Sequence, residues 1–109
     1  MRISFNKEQL QECKRAVRYY YQIQKQSVLI YGEEFIDKTA TANQLYKLLQ
    51  HLEANEEVDY ADDILDLFRK AFNLYLLSFD TSSKQGQRKK KYINQCIDLV
   101  GVNNGVQRI

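Results

Sequence analysis

The sequence contains no proline, only four glycines, one histidine and two cysteines in 109 residues. Three of the glycines fall after residue 85. Sandwiches and barrels need frequent turn residues, so this scarcity argues against them. No apolar run approaches the roughly 20 residues of a membrane-spanning helix. The opening MRISFNKEQL lacks the apolar centre of a signal peptide. A cytoplasmic protein without membrane contact is expected, with Cys13 and Cys96 reduced. Each cysteine lies on an apolar helical face and reads as a small buried hydrophobe, and a disulfide requires the two helices to touch. His51, the only histidine, shares a polar face with Lys47 and Asn55 and has no Cys or His partner at metal-ligand spacing. There is no glycine-rich phosphate loop, and neither cysteine has an obvious base beside it. No catalytic, cofactor-binding or metal-binding residue is therefore assigned.

The residues that are present describe one helical domain. Hydrophobic residues make up 44% and charged residues 28%, enough apolar surface for a core in a chain of this length. The clearest period runs over residues 59–79, where Ala61, Leu65, Phe68, Phe72, Tyr75 and Phe79 recur at steps of three and four. Asp59 is the expected N-cap, and Asp62, Asp63 and Asp66 complement the positive end of the helix dipole. The polar face of this helix ends at Leu76 and Leu77, so both leucines should be covered, either by the same chain or by a partner.

A first helix is predicted over 7–31, capped by Ser4 or Asn6, with Leu10, Cys13, Val17, Tyr20, Gln24, Ser27 and Tyr31 inward, Ala16, Ile23, Val28 and Ile30 flanking, and Gly32 ending it. Gln24 and Ser27 on this stripe imply a partly wet seam or a hydrogen bond to a neighbouring helix. Residues 33–40 have no period. A second helix is predicted over 42–54, with Thr41 and Gln44 as a capping box and Leu45, Leu48, Leu49 and Leu52 inward. The short link after it should make the second and third helices antiparallel neighbours. Residues 80–87 read as a loop, and a fourth helix over 88–100 carries Ile93, Cys96, Ile97 and Val100 inward. The expected fold is all-α, a small antiparallel four-helix bundle over 1–101 with an irregular tail, 102–109. The alternative is a three-helix core with a docked fourth helix.

Charge is segregated along the chain. Residues 53–66 hold seven acids and no base, and residues 84–91 hold five bases and no acid. Antiparallel third and fourth helices would place these blocks about 25 Å apart, from the helical rise. The basic block sits at the wrong end of its helix for the dipole. Lys84, Arg88, Lys89, Lys90 and Lys91 are candidate phosphate contacts, with the nearby glycine letting backbone approach. A second basic stripe on the first helix includes Lys14, Arg18 and Lys25, with Tyr21 available for stacking. Tyr19, Tyr20 and Tyr21 spread over ~200° of that helix. Tyr20 belongs to the core, while Tyr19 and Tyr21 fall at the rim, beside Arg15 and Arg18, as contact-surface residues.

Two acidic spellings resemble known magnesium sites. Asp62-Asp63-Ile-Leu-Asp66 matches the DDxxD spelling of isoprenoid synthases, whose larger helical cavity and second acidic motif this chain lacks. Glu33-Glu34-Phe-Ile-Asp37 followed by Asp63-Ile-Leu-Asp66 resembles the EExxE…ExxD pattern of all-α nucleotide pyrophosphohydrolases, with Asp in place of Glu at 37 and 63. That resemblance implies paired acids holding magnesium against a nucleotide.

The expected function is therefore non-enzymatic. The leading reading is a protein-interaction module (adaptor, inhibitor or immunity-like regulator) that binds another protein or a second copy of itself through Tyr19, Tyr21, Leu76 and Leu77. The alternative is a nucleic-acid-binding regulator using residues 84–91. A magnesium-dependent nucleotide hydrolase centred on Asp63 and Asp66 is the remote third.

Overall fold

A computed structural model describes residues 1–101, so the predicted tail 102–109 lies outside the described residues. The chain folds as an all-α bundle of four helices with one two-stranded sheet: β1 (Arg2–Ser4), α1 (Lys7–Tyr31), α2 (Ile36–Gln50), β2 (Glu57–Asp59), α3 (Asp62–Leu76) and α4 (Lys84–Leu99). No helix among the described residues is long and apolar enough to cross a membrane.

The sheet was not anticipated. β1 pairs antiparallel with β2, Arg2 opposite Asp59, Ile3 opposite Val58 and Ser4 opposite Glu57. Ile3 and Phe5 alternate with outward Arg2 and Ser4, the period of a strand with one buried face. Asn55, at φ 68°, turns the chain so that its N–H donates to the Phe5 carbonyl at 2.7 Å. This pairing corrects two expectations. Asp59 is not an N-cap but a strand residue, and its carboxylate accepts from the Met1 ammonium at 2.8 Å. The link between α2 and α3 is spent on β2 rather than on a tight turn, so those two helices make little contact with each other.

α1 is the helix about which the others assemble, packing on α2, α3 and α4. Its start is a capping box: the Asn6 side chain accepts from the Gln9 N–H at 2.9 Å, and the Asn6 N–H donates to Gln9 Oε1 at 3.0 Å. Ser4 takes no part in the cap. Gly32, at φ 94°, ends the helix, and its N–H donates to the Val28 carbonyl. A short 3₁₀ turn, Glu33–Phe35, leads directly into α2. Thr41 is not a cap: it lies inside α2 and its hydroxyl donates back to the Asp37 carbonyl at 2.9 Å. The start of α2 escaped the periodicity because its first residue to be buried is Ala42. Leu45, Leu49 and Leu52 are buried as expected, whereas Leu48 is exposed.

α3 starts at Asp62 and ends at Leu76, shorter at both ends than the apolar period implies. It carries the densest part of the core. The Phe68 ring meets Phe5 and Tyr60 edge-on at 5.9 and 5.1 Å and stacks on Phe72 at 5.6 Å. Such aromatic pairs contribute about 0.5–1.5 kcal/mol each beyond their buried area. α4 begins one turn before the predicted start, at Lys84, because Ser83 caps it by accepting from the Gly86 N–H at 2.9 Å. Arg69 on α3 donates to the carbonyl of Val100, while Lys89 on α4 lies over the ring of Phe79. These contacts fix α3 and α4 as antiparallel. The acidic start of α3 and the basic start of α4 therefore lie at opposite ends.

Candidate interaction surfaces

The four predicted contact residues have different fates. Tyr19 is half-buried and tilts against Tyr75 at 6.2 Å, an edge of the core. Leu76 is half-buried against the core as well, so the chain itself covers much of it. Leu77 is 84% exposed. It follows the last residue of α3, where the backbone closes onto the carbonyls of Leu74 and Tyr75. Tyr21 is half-buried and joins a surface that sequence periodicity assigned to the interior.

That surface is the tip of the α1–α2 hairpin. α1 has 25 residues against 15 in α2 and α3 and 16 in α4. At 1.5 Å per residue it is some 13 Å longer than its neighbours. The last residue it buries is Gln24, whose Oε1 has no hydrogen-bond partner among the described residues. Ser27 satisfies its hydroxyl locally, donating to the Ile23 carbonyl. Beyond that point Leu29, Ile30 and Tyr31 are 82%, 71% and 67% exposed, and Ile36 at the start of α2 is 47% exposed. Ile30 and Tyr31 were expected inward. They are outward because neither α3 nor α4 reaches this far along α1. Between the two helices Tyr21, Lys25, Val28, Leu29, Ile36 and Ala40 help line an open groove of about 410 Å³.

The basic residues come together from two places in the sequence. Lys14, Arg15 and Arg18 on α1 face Tyr46 and Gln50 of α2 across a groove of about 230 Å³. Arg15 and Gln11 also line a second groove, of about 160 Å³, with Arg88, Lys89 and Tyr92 of α4. Lys25 lies further along α1, in the hairpin groove. Lys84, Lys90 and Lys91 are exposed on the first turns of α4. Ion pairs among the described residues join Met1 to Asp59, Arg2 to Glu57, Arg15 to Glu12 and Lys70 to Asp66. The cations of the two predicted basic segments, Lys14, Arg18, Lys25, Lys84, Arg88, Lys89, Lys90 and Lys91, are absent from those pairs.

Gly86 has a different use from the one expected. It lies inside α4, and a Cβ there would stand 1.7 Å from the Asp80 carbonyl oxygen. The backbone that approaches this glycine is the chain's own. Asp80 further folds the loop by accepting from the Ser82 N–H and hydroxyl, and these hydrogen bonds hold its carboxyl below the usual range.

Glu12 was missed by sequence reasoning. It is buried on α1, pairs with Arg15 at 2.7 Å and accepts from the Tyr75 hydroxyl at 3.1 Å. Burial, then the Glu12 charge, pushes the Tyr75 phenol well above its ordinary value. The i,i+3 spacing to Arg15 was the only local signal. Its partner on α3 is 63 residues away.

The acids of the two magnesium-type spellings are only partly assembled. Asp37, Asp63 and Asp66 line a groove of about 220 Å³ between α2 and α3, together with Lys38 and Lys70. Lys70 pairs with Asp66 at 3.1 Å. Glu33 and Glu34 sit on the 3₁₀ turn and Asp62 at the start of α3, none of them lining this groove. Among the described residues no group of three or more His, Cys, Asp or Glu side chains is placed to hold a metal ion. His51 is exposed at the end of α2. Cys13 and Cys96 are buried free thiols on α1 and α4, and Cys96 Sγ donates to the Gln9 carbonyl at 3.4 Å. No family model matches the chain, and neither the curated proteins nor the solved structures give a significant match.

Proposed function

We propose that the protein is a non-enzymatic protein-interaction module, an adaptor, inhibitor or immunity-like regulator, whose contact surface is the tip of the α1–α2 hairpin. One observation carries this reading. Leu29, Ile30, Tyr31 and Ile36 are exposed together at the end of a helix that outruns its own core. Apolar exposure of this kind is unfavourable in water and is relieved when a partner covers it. The groove beside it runs between two helices, with apolar walls from Val28, Leu29, Ile36 and Ala40. A groove of that form suits the apolar face of a helix from another protein. Lys25 at its margin favours an acidic residue on that helix.

Sedimentation velocity and affinity capture test it with a Leu29→Asp, Ile36→Asp variant. The expected result is that the native chain captures a partner, or self-associates, and that the variant does neither. Capture that survives both substitutions, with Leu77→Asp abolishing it instead, would move the contact surface to the end of α3. Association unaffected by all three substitutions would remove the apolar reading altogether.

A further inference from the structure

We propose that the two grooves on either side of residues 11–15 of α1 form one track for single-stranded nucleic acid. Gln11 and Arg15 line both grooves, so the α1–α2 groove and the α1–α4 groove lie side by side with those two side chains between them. The fold thereby joins two basic stretches more than 60 residues apart in the chain.

The charge of the track is one-sided. Lys14, Arg15, Arg18, Arg88 and Lys89 line it, against Glu8 and Glu12. Arg15 and the buried Glu12 are paired and offset each other, which leaves Lys14, Arg18, Arg88 and Lys89 against Glu8. Lys84, Lys90 and Lys91 extend the positive field along the start of α4, which has no acid in its first turn. Gathering cations at the positive end of a helix dipole is locally unfavourable. An anion bound there relieves it.

The other lining groups favour nucleic acid over an acidic polypeptide. Tyr46 and Tyr92 each line one groove as half-buried rings, and the Arg88 guanidinium and the Lys91 ammonium lie 5.8 and 5.6 Å from the Tyr92 ring centre. Gln11, Gln50 and Gln85 supply amides that both donate and accept. The aliphatic residues that would anchor peptide side chains line the hairpin groove instead. Both grooves are small, and they lie on either side of α1. A flexible single strand can follow that path, whereas a duplex stays straight over roughly 150 base pairs.

Fluorescence anisotropy with a labelled, mixed-sequence single strand of about 20 nucleotides tests the assignment. Binding should weaken steeply with salt. The combined Arg18→Gln, Arg88→Gln variant should lose at least tenfold in affinity, and the slope of log affinity against log salt should fall by about 1.4, twice the single-strand contribution per phosphate. Arg18 and Arg88 are exposed, so thermal unfolding of that variant should match the native chain. Lys38→Gln, outside the track, should leave affinity unchanged. The track is overturned if no salt-sensitive binding is seen, or if the double variant binds as the native chain does. Equal affinity for the duplex, or displacement by an equal charge of poly-glutamate, overturns it as well.

Discussion

The two halves of α1 carry similar apolar content and meet opposite fates. From Leu10 to Tyr20 the helix buries Leu10, Glu12, Cys13, Ala16, Val17 and Tyr20; after Gln24 it buries nothing. The first half lies against α3 and α4 as well as α2. The end of the second half has α2 and the 3₁₀ turn for company, Tyr31 tilting against Phe35 at 6.0 Å. Leu29 and Ile30 are exposed for want of a covering element, not for want of hydrophobicity. A helical stripe thus reports which face would be buried, while the lengths of the neighbouring helices decide how far the core extends along it.

The sharpest way to break this contrast is at the core end. Phe68→Ala removes the ring that joins Phe5, Tyr60 and Phe72. It should destabilise by about 3–5 kcal/mol and lower Tm by more than about 10 °C, read by thermal unfolding. Gly86→Ala comes next. Its new Cβ would meet the Asp80 carbonyl at 1.7 Å, and backbone cannot step aside as a flexible side chain can. A loss of about 1–3 kcal/mol is expected from the forced displacement of that loop. A Gly86→Ala protein as stable as the native chain would show that the loop before α4 is not held against the helix.

The four helices were legible because their apolar residues recur at three and four. Both ends of α1 were legible too, from Asn6 and Gly32, but the starts of α2 and α3 were not, because they depend on how the preceding chain is placed. Asp59 has the chemistry of an N-cap, yet Arg2 pairs opposite it in a sheet. Ile3 and Val58, single apolar residues in three-residue strands, are too short a signal to announce that sheet. Thr41 and Gln44 spell a capping box, but the turn at Gly32 feeds α2 from Glu33 onward and the box falls mid-helix. For the surfaces, Tyr21 and the basic residues were readable as polar-face positions. Their joining across Gln11 and Arg15 was not, since it requires the antiparallel placement of α4 on α1.

Alkali should act on the core end. Burial pushes the Cys96 thiol from its ordinary 9.0 up to about 12 and the Tyr60 phenol from 10.0 up to about 12. Burial also raises Cys13 and Tyr75. In each case the folded state holds its proton where the unfolded chain has released it. Stability is therefore intact below pH 9 and falls as pH rises from about 9 toward 12. By pH 10 the loss from Cys96 alone is on the order of 1 kcal/mol. Denaturant titrations at pH 8 and pH 10 read it, and Cys96→Ala should shrink the difference by about that share, leaving the part due to Cys13, Tyr60 and Tyr75. A pH-independent midpoint would mean that the thiols ionise freely and are not enclosed.

The hairpin tip gives the smallest expected change in stability and the largest contrast with it in binding. Leu29→Asp with Ile36→Asp removes one side chain that is 82% exposed and one that is 47% exposed, so unfolding should shift by no more than about 1 kcal/mol. The matched control is Leu49→Asp in α2, a residue with no exposure, which places a carboxylate in the core and should unfold the protein. If the tip variant unfolds as readily as the control, those residues are packed in solution and the overhang of α1 is not a free surface. If it stays folded and loses its partner, the exposed turns after Gln24 are the part of α1 whose hydrophobicity serves association rather than folding.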